Sequence, residues 1–146
     1  MELPIYLDYN ATTPTDPRVV EAMLPYFTEI YGNAASRNHS FGWNAEKAVS
    51  SARDMLGSLI GTSGKEIVFT SGATESNNIA ILGVAEFHRD KGRHIISSPI
   101  EHKAVIDPYH YLEQQGYDVT FLDVNQHGCI SLEQLEQAIR PDTILV

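Results

Sequence analysis

The chain has 146 residues, 42% of them hydrophobic and 20% charged, enough for one globular domain with a real core. Its formal net charge of −9 excludes the broad positive face that nucleic acid or an anionic membrane surface requires. No run approaches the ~18 consecutive apolar residues of a membrane span, Met1-Glu2-Leu3-Pro4 does not read as a secretory leader, and the single cysteine, Cys129, fits a reducing cytoplasm.

In chain order, Ile5-Tyr6-Leu7-Asp8-Tyr9 reads as a short extended segment running into the polar Asn10–Thr13. Asp16-Pro17 reads as an N-cap followed by proline at the first helical position. Val19, Val20, Met23, Leu24, Phe27 and Ile30 then keep helical spacing, with Pro25 placed to kink or end that helix. After the polar loop 31–40, the stripe Ala45, Ala48, Val49, Ala52, Leu56, Leu59, Ile60 predicts a helix from Gly42 to about Ile60, closed by Gly61.

From there strands and helices alternate. A strand at Glu66–Thr70 precedes a helix from about Thr74 to Arg89. A strand at His94–Ser97 precedes a helix from His102 or Lys103 to Gln115. A strand at Val119–Leu122 precedes a helix opened by the capping-box pattern Ser131-Leu132-Glu133-Gln134, and Thr143–Val146 begins another strand. This alternation predicts an α/β fold with a parallel sheet. Because Val146 falls on a strand, the expectation is a part of something longer.

The junction Ser71-Gly72-Ala73-Thr74-Glu75 lies where a strand feeds a helix start. Unpaired N–H groups and the helix dipole favour an anion there, with Gly72 and Ala73 keeping the approach clear and the Ser71 and Thr74 hydroxyls adding donors. An ordinary helix start without ligand explains the same residues equally well. Gly61-Thr62-Ser63-Gly64-Lys65 is no P-loop, because Glu66 follows the lysine and the segment precedes a strand.

Four separated motifs occur in order: Tyr6–Pro14, Gly32-Asn33 with Ser36 and His39, Phe69-Thr70-Ser71-Gly72-Ala73-Thr74-Glu75-Ser76-Asn77-Asn78, and Glu101-His102-Lys103-Ala104-Val105. Together they closely resemble the N-terminal part of the cysteine desulfurases, class V pyridoxal-phosphate enzymes, over essentially the whole chain. Ser71–Glu75 looks like the housekeeping and nitrogen-fixation branch; selenocysteine lyases typically carry an arginine and a second threonine in this loop. Ala34 stands where the family often has proline.

The resemblance implies part of the mostly parallel-sheet large domain of a fold-type I pyridoxal-phosphate enzyme. Residues 1–60 would be an extended and helical segment near the active-site mouth, and 61–146 the first part of the cofactor-binding domain. It implies pyridoxal 5'-phosphate as cofactor, its phosphate held by Ala73 and Thr74, and His102 stacked on the pyridine ring as a proton relay. A neutral imidazole has the flat face and the near-neutral pKa for that task. The implied reaction converts L-cysteine to L-alanine and passes persulfide sulfur to iron–sulfur scaffolds and to tRNA thiolation, in a cytoplasmic homodimer.

The lysine that anchors the cofactor, the aspartate for its ring nitrogen and the reactive cysteine lie, in the family, beyond the point matching Val146. Lys103 is therefore expected to be a surface or helix-start residue, and Cys129 a small buried apolar one. His39, His88, His94, His110 and His127 lack metal-ligand spacing. Two other readings stand beside the enzyme: a catalytically incomplete fragment acting as an interaction module, and a related selenocysteine lyase.

Overall fold

The computed structural model describes residues 4–146. They fall into two units, one ending at Val68 and the other spanning Phe69–Val146.

The first unit is helical. Helix α1 (Pro17–Met23) starts on Asp16, whose carboxylate accepts the Arg18 N–H at 2.8 Å. Pro25 has no N–H to continue the ladder, so the chain restarts as α2 (Pro25–Thr28). Helix α3 (Ser40–Ile60) begins on His39, whose ring accepts the Gly42 N–H, and ends at Gly61. Gly61 has φ 77°, a left-handed turn that glycine takes without penalty, and the Thr62 N–H returns to the Gly57 carbonyl. Gly64–Glu66 then makes one 3₁₀ turn, closed by the Glu66 carboxylate on the Ser63 N–H at 3.0 Å and on the hydroxyls of Ser63 and Thr62.

Residues 67–70 differ from expectation. Ile67 is extended (φ −91°, ψ 122°), but 67–70 form no strand. Glu66 is consumed by the 3₁₀ turn, and a strand exists only where a neighbouring strand completes its ladder; the three-stranded sheet of the described residues does not include this segment.

The second unit is α/β. It runs α4 (Ala73–His88), β1 (His94–Ser97), α5 (Lys103–Gln114), β2 (Asp118–Phe121), α6 (Leu132–Ala138) and β3 (Thr143–Leu145). The strands form a parallel sheet in the order β2-β1-β3, so β1 is central. A central parallel strand is covered on both faces, and His94, Ile95 and Ile96 are all buried. Ile95 packs with Ile81 and Ala85 of α4 and with Tyr109 and Leu112 of α5; burying such a side chain contributes roughly 1.5–3 kcal/mol. The Tyr117 hydroxyl donates to the Ala85 carbonyl at 2.8 Å, tying the β2 entry to α4.

Between β2 and α6 a hairpin-like turn pairs Val124 with Ile130 in antiparallel fashion. The Asn125 side chain accepts the N–H groups of His127 and Cys129 at 2.8 and 3.1 Å. Cys129 is therefore exposed, contrary to the buried role expected of it, because it sits on the turn rather than under it. Among the described residues no helix is long and apolar enough to cross a membrane.

Candidate functional site

Both α4 and α5 run back from the carboxyl end of the sheet, where ligands of open α/β folds bind. Their starts differ. Helices α1, α3, α5 and α6 each begin on a side chain (Asp16, His39, His102 and Ser131) that accepts an N–H from the first turn. Helix α4 begins on Gly72 with no side-chain cap, so its first N–H groups lack acceptors within the helix. Nothing lies within 4 Å of where a Cβ on Gly72 would stand. Free donors, a favourable dipole and open space together can hold a small anion.

The predicted site residues take distinct places. Ala73 is the first residue of α4 and Thr74 the second, both exposed. His102 caps α5, its Nδ1 accepting the Ala104 N–H at 3.1 Å. That bond leaves Nε2 as the ring nitrogen free for another partner. Thr74 and His102 line one open cleft of about 430 Å³, together with Asn78, Lys103, Asp107 and Tyr111. Ala73 is not in that lining.

The Ser71 N–H donates to the Glu75 carboxylate at 2.6 Å, a charge-assisted bond. Hydrogen bonding to Ser71, the backbone N–H first, holds the Glu75 carboxyl below the usual carboxylate range.

Asp107 and Tyr111 stand in none of the four sequence motifs, and Asn78 enters only as the last residue of one of them. The signal was available: Thr74, Asn78 and Leu82 recur at i, i+4, i+8 on α4, and Lys103, Asp107 and Tyr111 do so on α5, so each set forms one wall. The Asn78 amide additionally donates to the Thr74 carbonyl at 2.9 Å. Lys103 is the exposed first residue of α5, as a helix-start residue should be. Cys129 belongs to a separate depression with Asp123, Asn125, Ser131 and Gln134. Among the described residues no three His, Cys, Asp or Glu side chains gather as a metal site.

The chain is similar to known proteins over its whole length. Cysteine desulfurase IscS of Anaeromyxobacter sp. (strain K) is 58% identical over all 146 residues, and the chain spans 36% of that protein's length. A solved NifS-like protein superposes with a TM-score of 0.90 at 42% identity, over 95% of this chain and 38% of its own. A structure described as SspA in complex with cysteine superposes at 0.87 with 41% identity, over 94% of this chain and 40% of its own. The aminotransferase class-V model matches residues 5–146, and the chain belongs to that family.

Proposed function

We propose that this chain supplies the phosphate cup and ring platform of a pyridoxal-phosphate-dependent cysteine desulfurase. The observation that carries the proposal is the uncapped start of α4, whose Thr74 shares a cleft with His102. The likeness to IscS proteins and to a protein solved with cysteine supports L-cysteine as substrate.

The residues fit the cofactor chemically. A phosphate dianion needs converging N–H donors, which Ala73 and Thr74 offer at the positive end of α4, and the Thr74 hydroxyl adds another. The His102 ring presents a flat face, with Nδ1 occupied by the Ala104 N–H, so a proton is held or moved at Nε2. Bound pyridoxal phosphate supplies the electron sink for carbanion chemistry at an amino acid's α-carbon. Asn78, bonded to the Thr74 carbonyl, braces the first turn beneath the cup. The complete protein is proposed to be a cytoplasmic homodimer that passes persulfide sulfur to iron–sulfur scaffolds and tRNA-thiolating acceptors.

The test is made on the intact gene product. It is expected to purify with the visible absorbance of bound cofactor and to release alanine from L-cysteine, leaving sulfide when a thiol reductant is present. A product that binds no pyridoxal phosphate, or turns over selenocysteine but not cysteine, overturns the proposal.

A further inference from the structure

Two helical turns of this chain carry glutamate at their third position. In the Gly64–Glu66 turn, Glu66 closes on the N–H of the cap residue itself, Ser63, at 3.0 Å. At α4 the cap is Gly72, and Glu75 reaches one residue further back, to the Ser71 N–H at 2.6 Å. The glutamate half of a capping box is present but displaced by one residue, and the side-chain half is missing. As a result the Gly72, Ala73 and Thr74 N–H groups have no acceptor among the described residues.

A second set of bonds holds the same turn from below. The Gly72 carbonyl accepts the Ser76 N–H at 3.1 Å and lies 3.1 and 3.2 Å from the hydroxyls of Thr70 and Ser76, which are themselves 2.6 Å apart. The acceptor of Gly72 is thereby turned into the helix and kept out of the space its N–H faces. A carboxylate this close to an anion site would by charge alone oppose binding. Its hydrogen bonds with Ser71 give it a different task.

We infer that Glu75 is a positioning residue: by clamping Ser71 it sets the turn that aims the Gly72, Ala73 and Thr74 N–H groups at the cofactor phosphate. This rests on the reading of the α4 start as the phosphate cup. Glu75 does not touch the cofactor; it acts through the backbone of Ser71.

The experiment compares pyridoxal phosphate with pyridoxal, which lacks the phosphate, as ligands of the intact gene product and of its Glu75→Ala and Glu75→Gln variants. Affinities are read by absorbance or fluorescence titration of the cofactor-free protein. Loss of a charge-assisted bond that orders the cup is expected to weaken pyridoxal phosphate about tenfold in Glu75→Ala. Pyridoxal affinity is expected to stay at the parent value. Glu75→Gln keeps an oxygen for the Ser71 N–H and is expected to bind pyridoxal phosphate nearly as the parent does. Equal losses for both ligands in Glu75→Ala, or no loss for either, overturn the inference. So does tighter phosphate binding in both variants, the signature of a carboxylate that merely repels. A parent protein that does not prefer pyridoxal phosphate over pyridoxal overturns the phosphate cup itself.

Discussion

The two ends of the three-stranded sheet treat their polar groups in opposite ways. At the amino end His94, the first residue of β1, is 0% exposed and sits between the Thr143 hydroxyl at 2.7 Å and the Thr120 hydroxyl at 2.9 Å. The Thr143 oxygen also accepts the Arg140 N–H at 2.8 Å, and the Arg140 guanidinium pairs with Asp118 and Asp142. Side chains from all three strands thus enter one hydrogen-bonded network. At the carboxyl end, α4 begins with donors that the chain leaves open. A protein has good reason to satisfy buried polar groups internally. Donors left open beside a cleft are available to a ligand, and the contrast separates the end that holds the sheet together from the end proposed to bind.

The sharpest way to break this contrast is to close the open end. Gly72→Asp puts a carboxylate into the empty space in front of α4 and is expected to lower pyridoxal-phosphate affinity about a hundredfold, through like charge, lost donors and the strain a side chain meets at the Gly72 φ of 159°. Pyridoxal titration serves as the control and is expected to change far less.

The closed end is tested by pH. Burial, followed by the Arg140 charge, pushes the His94 pKa below its ordinary value, while Asp118 and Asp142 oppose that shift. The unfolded chain takes up the proton near ~6.5, before the folded one does. Stability is therefore fully present above that value and is lost as pH falls toward the folded pKa, with a slope of at most about 1.4 kcal/mol per pH unit for one proton. Urea midpoints of the parent are expected to fall between neutral and mildly acidic pH more steeply than those of His94→Gln. Parallel trends in the two proteins would remove His94 from the account.

The smallest effect comes from a helix capped by its own chain. The Ser131 hydroxyl accepts the Gln134 N–H at the start of α6, and Ser131→Ala is expected to cost about 1 kcal/mol of unfolding free energy. Cofactor affinity should be untouched, the reverse of the Gly72→Asp pattern.

Local chemistry made much of this architecture legible in the sequence. Asp16-Pro17, Gly61 and Ser131 mark element ends because a cap, a proline or a left-handed turn depends on one residue and its near neighbours. His94–Ser97 was readable as a strand because a buried central strand is a short apolar run. Residues 67–70 were misread because extended backbone becomes a strand only when distant residues pair with it. Cys129 was misread because its small apolar character said nothing of the Asn125 turn that exposes it. The hydrogen-bonding partners of His94 are not legible in the sequence, since Thr120 and Thr143 lie 26 and 49 residues away along the chain. At the candidate site, Thr74 and His102 were readable through family motifs. The Glu75–Ser71 clamp was not, because a box displaced by one residue does not match the usual pattern.

The most direct test of the central claim is a crystal structure of the intact gene product with pyridoxal phosphate. Phosphate oxygens are expected within about 2.7–3.2 Å of the Ala73 and Thr74 backbone nitrogens, with Glu75 still bonded to Ser71 and the His102 ring over the pyridine. A phosphate bound away from the start of α4, or a Glu75 side chain released from Ser71 in the complex, would contradict the claim.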